Sequence, residues 1–132
     1  MPAGYSGTPL PKKLGIKAGS TVCLVGAPEG LSDALGQLPD DVSLHNRMKK
    51  NCDLVIWFSR SRKQLDQGIE RMVTALVRGS MWICWPKKAS GVDTDLSEPV
   101  VRETALAAGL VDYKVCAVDA TWSGLLFTRR KK

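Results

Sequence analysis

The stretch GSMWICWPKKASG, residues 79–91, constrains the fold more than any other part of the chain. Gly79 opens it, an unbroken apolar run from Met81 to Trp85 follows, and Pro86 closes it. Continuous apolarity between a glycine and a proline predicts a strand buried on both faces, the kind found inside a parallel sheet. Lys87, Lys88 and Ser90, just past its carboxyl end, then stand where open α/β sheets take their ligands.

The rest of the chain supplies partners for such a strand. Residues 21–26, TVCLVG, read as a first strand running into Ala-Pro-Glu-Gly, and residues 31–38 follow with Leu31, Ala34, Leu35 and Leu38 on one helical face. A short strand is expected at 42–45 and another at 53–58, DLVIWF. Ser59-Arg60-Ser61 offers a turn and an N-cap. Leu65, Ile69, Met72, Val73, Leu76 and Val77 then fall on one face of a helix that Gly79 ends. Ser97 caps a further helix with Pro99 in its first turn and Val101, Ala105 and Ala108 on its apolar side. Strands at 112–118 and 124–130, joined by residues 119–123, complete the order β-α-β-β-α-β-α-β-β. Alternation of this kind predicts a three-layer, Rossmann-like α/β sandwich. Its sheet is mostly parallel, and the short last connection makes the C-terminal strand antiparallel.

A length of 132 residues suits one domain, here 14–130. An extended arm over 1–13, with Tyr5 as its anchor, precedes it, and a basic tail at 131–132 follows. No apolar run approaches the roughly 20 residues of a membrane-spanning helix, so no membrane partner is expected. The first residues lack a secretion signal's apolar core, which points to the cytoplasm. Four cysteines without a C-x-x-C pair and a single histidine, His45, leave no metal ligand set. Cys23, Cys84 and Cys116 lie in apolar runs and are expected as reduced, small hydrophobes. A net charge of +6 suits either a nucleic-acid footprint or a solvated basic surface. Oligomeric state leaves no trace in the sequence.

The candidate site gathers at the carboxyl ends of the strands. Gly26, Glu29 and Gly30 come from the first turn, Ser59 and Arg60 from the middle strand, and Trp85, Pro86, Lys87, Lys88 and Ser90 from the opening stretch. Together with a helix N-terminus they suit an anion: a phosphate, a nucleotide or an acidic group of a protein partner. Glu29 or Asp95 is available to pair with the lysines and neutralise them. In VDATWSG, Asp119 with Thr121 and Ser123 is expected to tie its own turn together, while Trp122 covers the core edge or faces the ligand. No Ser-His-Asp triad can be assembled around one histidine, and no catalytic residue is expected.

The element order resembles a class I S-adenosylmethionine-dependent methyltransferase reduced to a minimum. LGIKAGSTVCLVGAPEG (14–30) is similar to the segment carrying such enzymes' first glycine motif, and GIERMVTALVRGSMWICWPK (68–87) to their late helix and strand. That resemblance implies S-adenosylmethionine as cofactor. The acid expected at the end of the first strand is absent, however, and Pro28 removes a donor from the turn. His45-Asn46-Arg47 stands where a ribose-binding acid belongs, and Phe58-Ser59-Arg60-Ser61 replaces an Asn-Pro-Pro-Tyr type of catalytic loop. A second resemblance spans nearly the whole chain. YSGTPLPKKLGIK, WPKKASGVDTDL and VRETALAAGLVDYKVCAVDATWSGL resemble a family of small bacterial proteins of unknown function, which implies a fold and a bacterial source but no activity. The reading is a non-catalytic binding or regulatory module for an anionic ligand or partner, with no cofactor. The alternatives are a divergent S-adenosylmethionine-dependent or other nucleotide-using enzyme, and a nucleic-acid binder.

Overall fold

A computed structural model describes residues 9–49, 51–76 and 79–130. Its elements are α1 (Leu10–Leu14), β1 (Thr21–Val25), α2 (Leu31–Leu35), β2 (Ser43–His45), β3 (Leu54–Phe58), α3 (Arg62–Ala75) and β4 (Ser80–Pro86). A 3-10 turn (Lys88–Ser90), α4 (Glu98–Ala107), β5 (Leu110–Ala117) and β6 (Trp122–Arg129) follow. The six strands form one sheet in the order β2-β1-β3-β4-β6-β5. The pairs β1–β2, β1–β3 and β3–β4 are parallel, and β6 lies antiparallel between β4 and β5. The expected α/β sandwich with one antiparallel C-terminal strand is therefore the observed fold.

The expected central strands sit at the middle of the sheet for the reason the sequence suggests. Every residue of β3 is buried, as is every residue of β4 after Ser80. Side chains alternate between two cores. On one face Val55, Trp57, Met81, Ile83 and Trp85 meet Leu65, Ile69, Met72 and Val73 of α3 and Val101 and Ala105 of α4. A Cβ on Gly68 of α3 would lie 2.8 Å from Cζ2 of Trp57, so the glycine lets helix and indole approach. On the other face Ile56, Phe58, Trp82, Cys84 and Trp122 pack beneath Leu14, Ile16, Leu31 and Leu35. There Trp82 donates its indole N–H to the Leu14 carbonyl at 2.8 Å, fastening α1 to the sheet.

Asp53 bolts the opposite, amino-terminal rim. Its carboxylate accepts from Thr21 N at 2.8 Å, its own N–H donates to the Thr21 carbonyl at 2.9 Å, and its carbonyl accepts from Ser80 N at 3.2 Å. Gly79 packs so closely here, at φ +82°, that any Cβ would collide with the Asp53 carbonyl.

Three expectations are corrected. Residues 10–13, expected within an extended arm, form a helical turn together with Leu14. Pro11 fits the first turn, where no intrahelical N–H is required, and left-handed Gly15 closes it. The anchor assigned to Tyr5, the helical position of Val77 and the tail at 131–132 lie outside the described residues. Helix α3 ends at Ala75 with Leu76 as C-cap, so Gly79 serves the Asp53 contact and not the cap. Finally, Cys23 is not a reduced thiol: it is disulfide-bonded to Cys52, and both are buried. The bridge joins the middle of β1 to the residue preceding Asp53, a pairing that apolar context alone does not disclose.

Candidate functional site

After β1 the chain moves outward to β2, then returns to the other side of β1 as β3, so strand order reverses between β1 and β3. In open α/β sheets that reversal leaves a crevice at the carboxyl ends. Here it is closely packed. Gly26 turns at φ +69°, and a Cβ on it would lie 2.7 Å from the Phe58 carbonyl oxygen and 3.6 Å from Nη1 of Arg60. Only glycine combines this backbone conformation with this approach. Ser59 is fully buried; its N–H donates to the Cys84 carbonyl at 2.9 Å and its hydroxyl contacts the Ser61 carbonyl at 3.4 Å. Ser59 thus fastens β3 to β4 and has no hydroxyl left for a ligand.

Arg60 is exposed, with its guanidinium carbon 5.2 Å from the Trp122 ring centroid. Among the described residues no carboxylate pairs with it. Trp122 in turn packs edge-on against Phe58, centroids 5.1 Å apart at 89°. Asp119 Oδ1 accepts from the N–H groups of both Thr121 and Trp122 at 2.8 Å, the expected self-tied turn. Glu29 and Gly30 are exposed at the start of α2, where left-handed Gly30 is the N-cap. His45 ends the edge strand β2, half-buried and in register with Cys23.

The second gathering lies past β4. Trp85 and Pro86 are buried, and Pro86 is in register with Trp122. Lys87 N donates to the Thr121 carbonyl at 2.7 Å, and the Lys87 carbonyl accepts from Ser90 N at 3.1 Å and Ser90 Oγ at 2.6 Å. Ser90 Oγ also accepts from Val92 N at 3.2 Å. Ser90 is therefore committed to its own turn. Beyond Gly91 the chain crosses the end of β3. Thr94 Oγ1 donates to the Arg60 carbonyl at 2.8 Å, and Asp95 Oδ1 accepts from Arg62 N at 2.7 Å, capping α3 beside Ser61. Asp95 thus pairs with a helix N-terminus and not with the lysines.

Between this crossing segment and β4 opens a cleft of about 450 Å³, lined by Trp85, Lys88, Val92, Asp93, Leu96 and Glu98 among others. Trp85 is only 5% exposed, and among the described residues its indole N–H has no hydrogen-bond partner. Among the described residues no buried side-chain polar atom is left unpartnered, so this N–H keeps contact with solvent. Lys88 and Asp93 make no ion pair among the described residues. Glu98 is held at 2.9 Å by Arg102, which also donates to Asp112 at 3.0 Å. Those hydrogen bonds, Asp112's first, raise the guanidinium's pKa further. Lys87 lies outside the lining.

The expected site residues thus divide. Gly26, Arg60 and Trp122 meet at the strand reversal, Trp85 and Lys88 meet in the cleft, and Ser59, Pro86 and Ser90 hold the frame. The wall formed by Val92, Asp93, Thr94 and Leu96 carries no sequence motif; the one signal pointing to it is the polar run DTD ahead of the Ser97 cap. Burial, with smaller contributions from Cys116 and Asp119, pushes the Cys84 thiol far above the ordinary thiol range. Among the described residues no three metal-ligating side chains converge, and no helix is long and apolar enough to cross a membrane.

The chain matches no protein-family model and no curated protein sequence. It is similar in structure to a ribosomal protein L11 methylase from Lactobacillus delbrueckii subsp. bulgaricus, with a TM-score of 0.61 and 14% identity over 92% of this chain and 75% of that one. A magnesium protoporphyrin IX methyltransferase from Synechocystis PCC 6803 with bound SAM gives 0.60 at 10% identity, over 92% and 74%. A putative type 11 methyltransferase from Sulfolobus solfataricus gives 0.58 at 11%, over 93% and 90%. The chain has a methyltransferase-like fold.

Proposed function

We propose that this protein is a non-catalytic binding module on a methyltransferase-like fold, and that its ligand presents an anionic group to the cleft past β4. One observation carries the reading: nearly buried Trp85, whose indole N–H has no protein partner among the described residues, and Lys88, which makes no ion pair there, line one cleft. An indole N–H donor and an unpaired ammonium on one cleft both suit an oxygen anion. Side chains already engaged support the non-catalytic reading: Ser59 and Ser90 bond backbone carbonyls, and Cys84 is protonated and enclosed. Several cations behind the +6 charge are likewise used internally. Arg129 and Arg130 donate to the Leu76 and Leu106 carbonyls, and Lys13 and Lys114 bind α1 to β5. Those cations keep their charge, and a nucleic-acid surface stands as an alternative reading.

Isothermal titration with inorganic phosphate, adenine nucleotides and simple carboxylates tests the proposal, read alongside tryptophan fluorescence. Binding should weaken on Lys88→Ala by roughly tenfold or more, as expected for a charge-assisted hydrogen bond. No binding of any anion, or binding untouched by Lys88→Ala and Trp85→Phe, overturns it. The fold's likeness to methyltransferases, one with bound SAM, favours a second reading as a divergent S-adenosylmethionine-dependent enzyme. That reading requires saturable heat with S-adenosylmethionine or S-adenosylhomocysteine, and none would exclude it.

A further inference from the structure

The walls of the cleft do not carry one sign of charge. On the β4 side stand Trp85 and Lys88, whose side chains carry donors suited to an oxygen anion. The crossing segment contributes Asp93, whose carboxylate pairs with no cation among the described residues, and α4 contributes Glu98 at its first turn. Arg102 already holds Glu98, which leaves Asp93 as the carboxylate open to a ligand. Thr94 and Ser97 also line the cleft, and its apolar part is Leu96, which is buried, and Val92, which is 47% exposed. A purely anionic ligand would meet Asp93 as a like charge, and a purely cationic one would meet Lys88. A ligand with both charges and a short apolar body meets neither penalty.

We infer that the ligand of this cleft is a small zwitterion of the α-amino-acid class with an apolar side chain. Its carboxylate is received by Trp85 and Lys88, its ammonium by Asp93, and its side chain by Val92 and Leu96. The inference rests on the cleft being the binding site, as proposed above, and adds the ligand's second charge. A volume of about 450 Å³ lies within the range of small-molecule sites and leaves room for a compact ligand.

The test is a matched set titrated into the full chain: L-phenylalanine, 3-phenylpropionate, which lacks the ammonium, and phenethylamine, which lacks the carboxylate. Inorganic phosphate and adenine nucleotides serve as the anion-only controls. L-phenylalanine should bind about tenfold or more tighter than either truncated analogue, the loss expected for one charge-assisted contact. Asp93→Asn should lower L-phenylalanine to the affinity of 3-phenylpropionate while leaving 3-phenylpropionate unchanged. Equal binding of L-phenylalanine and 3-phenylpropionate, with Asp93→Asn silent, overturns the zwitterion and leaves the anion reading standing. Binding of phosphate or nucleotides with no member of the phenyl series does the same. Phenethylamine binding as tightly as L-phenylalanine, or no binding by any probe, overturns both readings.

Discussion

Breaking the Cys23–Cys52 bridge should be the most damaging single chemical change to this fold outside its central strands. The two residues are 29 apart in sequence, and the loop they close holds the glycine turn, α2 and β2. In the chain-entropy account a loop of that length removes about 12 cal/mol/K from the unfolded ensemble, or about 3.6 kcal/mol at 25 °C. A chain of 132 residues unfolds with an entropy of about 0.28 kcal/mol/K near its midpoint. Dividing the two, Cys23→Ala/Cys52→Ala should lower Tm by about 13 °C, plus a small further loss from the two buried sulfurs. The assay is thermal unfolding followed by circular dichroism, on oxidised protein, on the double variant and on wild type with reductant. Alkylation of the denatured, unreduced protein should label Cys84 and Cys116 alone. Four labelled thiols, or a double variant melting within about 2 °C of oxidised wild type, would refute the reasoning.

Three other outcomes follow from particular contacts. Gly26→Ala must place a Cβ 2.7 Å from the Phe58 carbonyl at φ +69°, so the left-handed penalty of about 1–2 kcal/mol adds to a backbone collision. A fall of at least about 2 kcal/mol in urea unfolding is expected. Asp95→Ala removes the carboxylate cap from Arg62 N and one tie of the cleft wall, at a cost of about 1 kcal/mol. Amides of residues 92–97 should then exchange faster, while those of β3 keep their protection. Cys84 holds its proton in the folded state far above the ordinary thiol pKa, so the stability this confers is complete below about pH 8.5 and declines as pH rises through that value. Unfolding titrations between pH 8 and 10 should show a decline of up to about 1.4 kcal/mol per pH unit that Cys84→Ala abolishes; an unchanged slope would contradict it.

Much of the fold was legible because burial on two faces writes itself into composition. Residues 54–58 and 81–85 are apolar without interruption, and they became the two adjacent strands β3 and β4 at the middle of the sheet. Ser61 and Ser97 were readable as caps because the side-chain acceptor lies within three residues of the N–H it serves: both caps formed, to Gln64 N and Val100 N. Residues 10–14 were harder, since Pro9 precedes and Pro11 sits within a turn that holds only once Leu14 is buried under Trp82. The site was legible by region and not by role. Ser59, Ser90 and Arg60 all lie past the strand ends, and residue type alone does not reveal that the two serines are engaged by backbone carbonyls of their own turns.

By itself the sequence determined the order of the helices and strands from β1 onward, the two-faced burial of β3 and β4, and the end of the sheet where polar groups collect. These depend on periodicity and on partners a few residues away. The tertiary structure alone decided that the opening strand's Pro-Lys-Lys tail splits, with Lys88 lining a cleft and Lys87 outside it. It also decided that Thr94 and Asp95 close over Arg60 and Arg62, about 33 residues distant in sequence, and that Cys23 finds Cys52. Such pairings arise from strand order and register, which bring together residues that no local pattern connects.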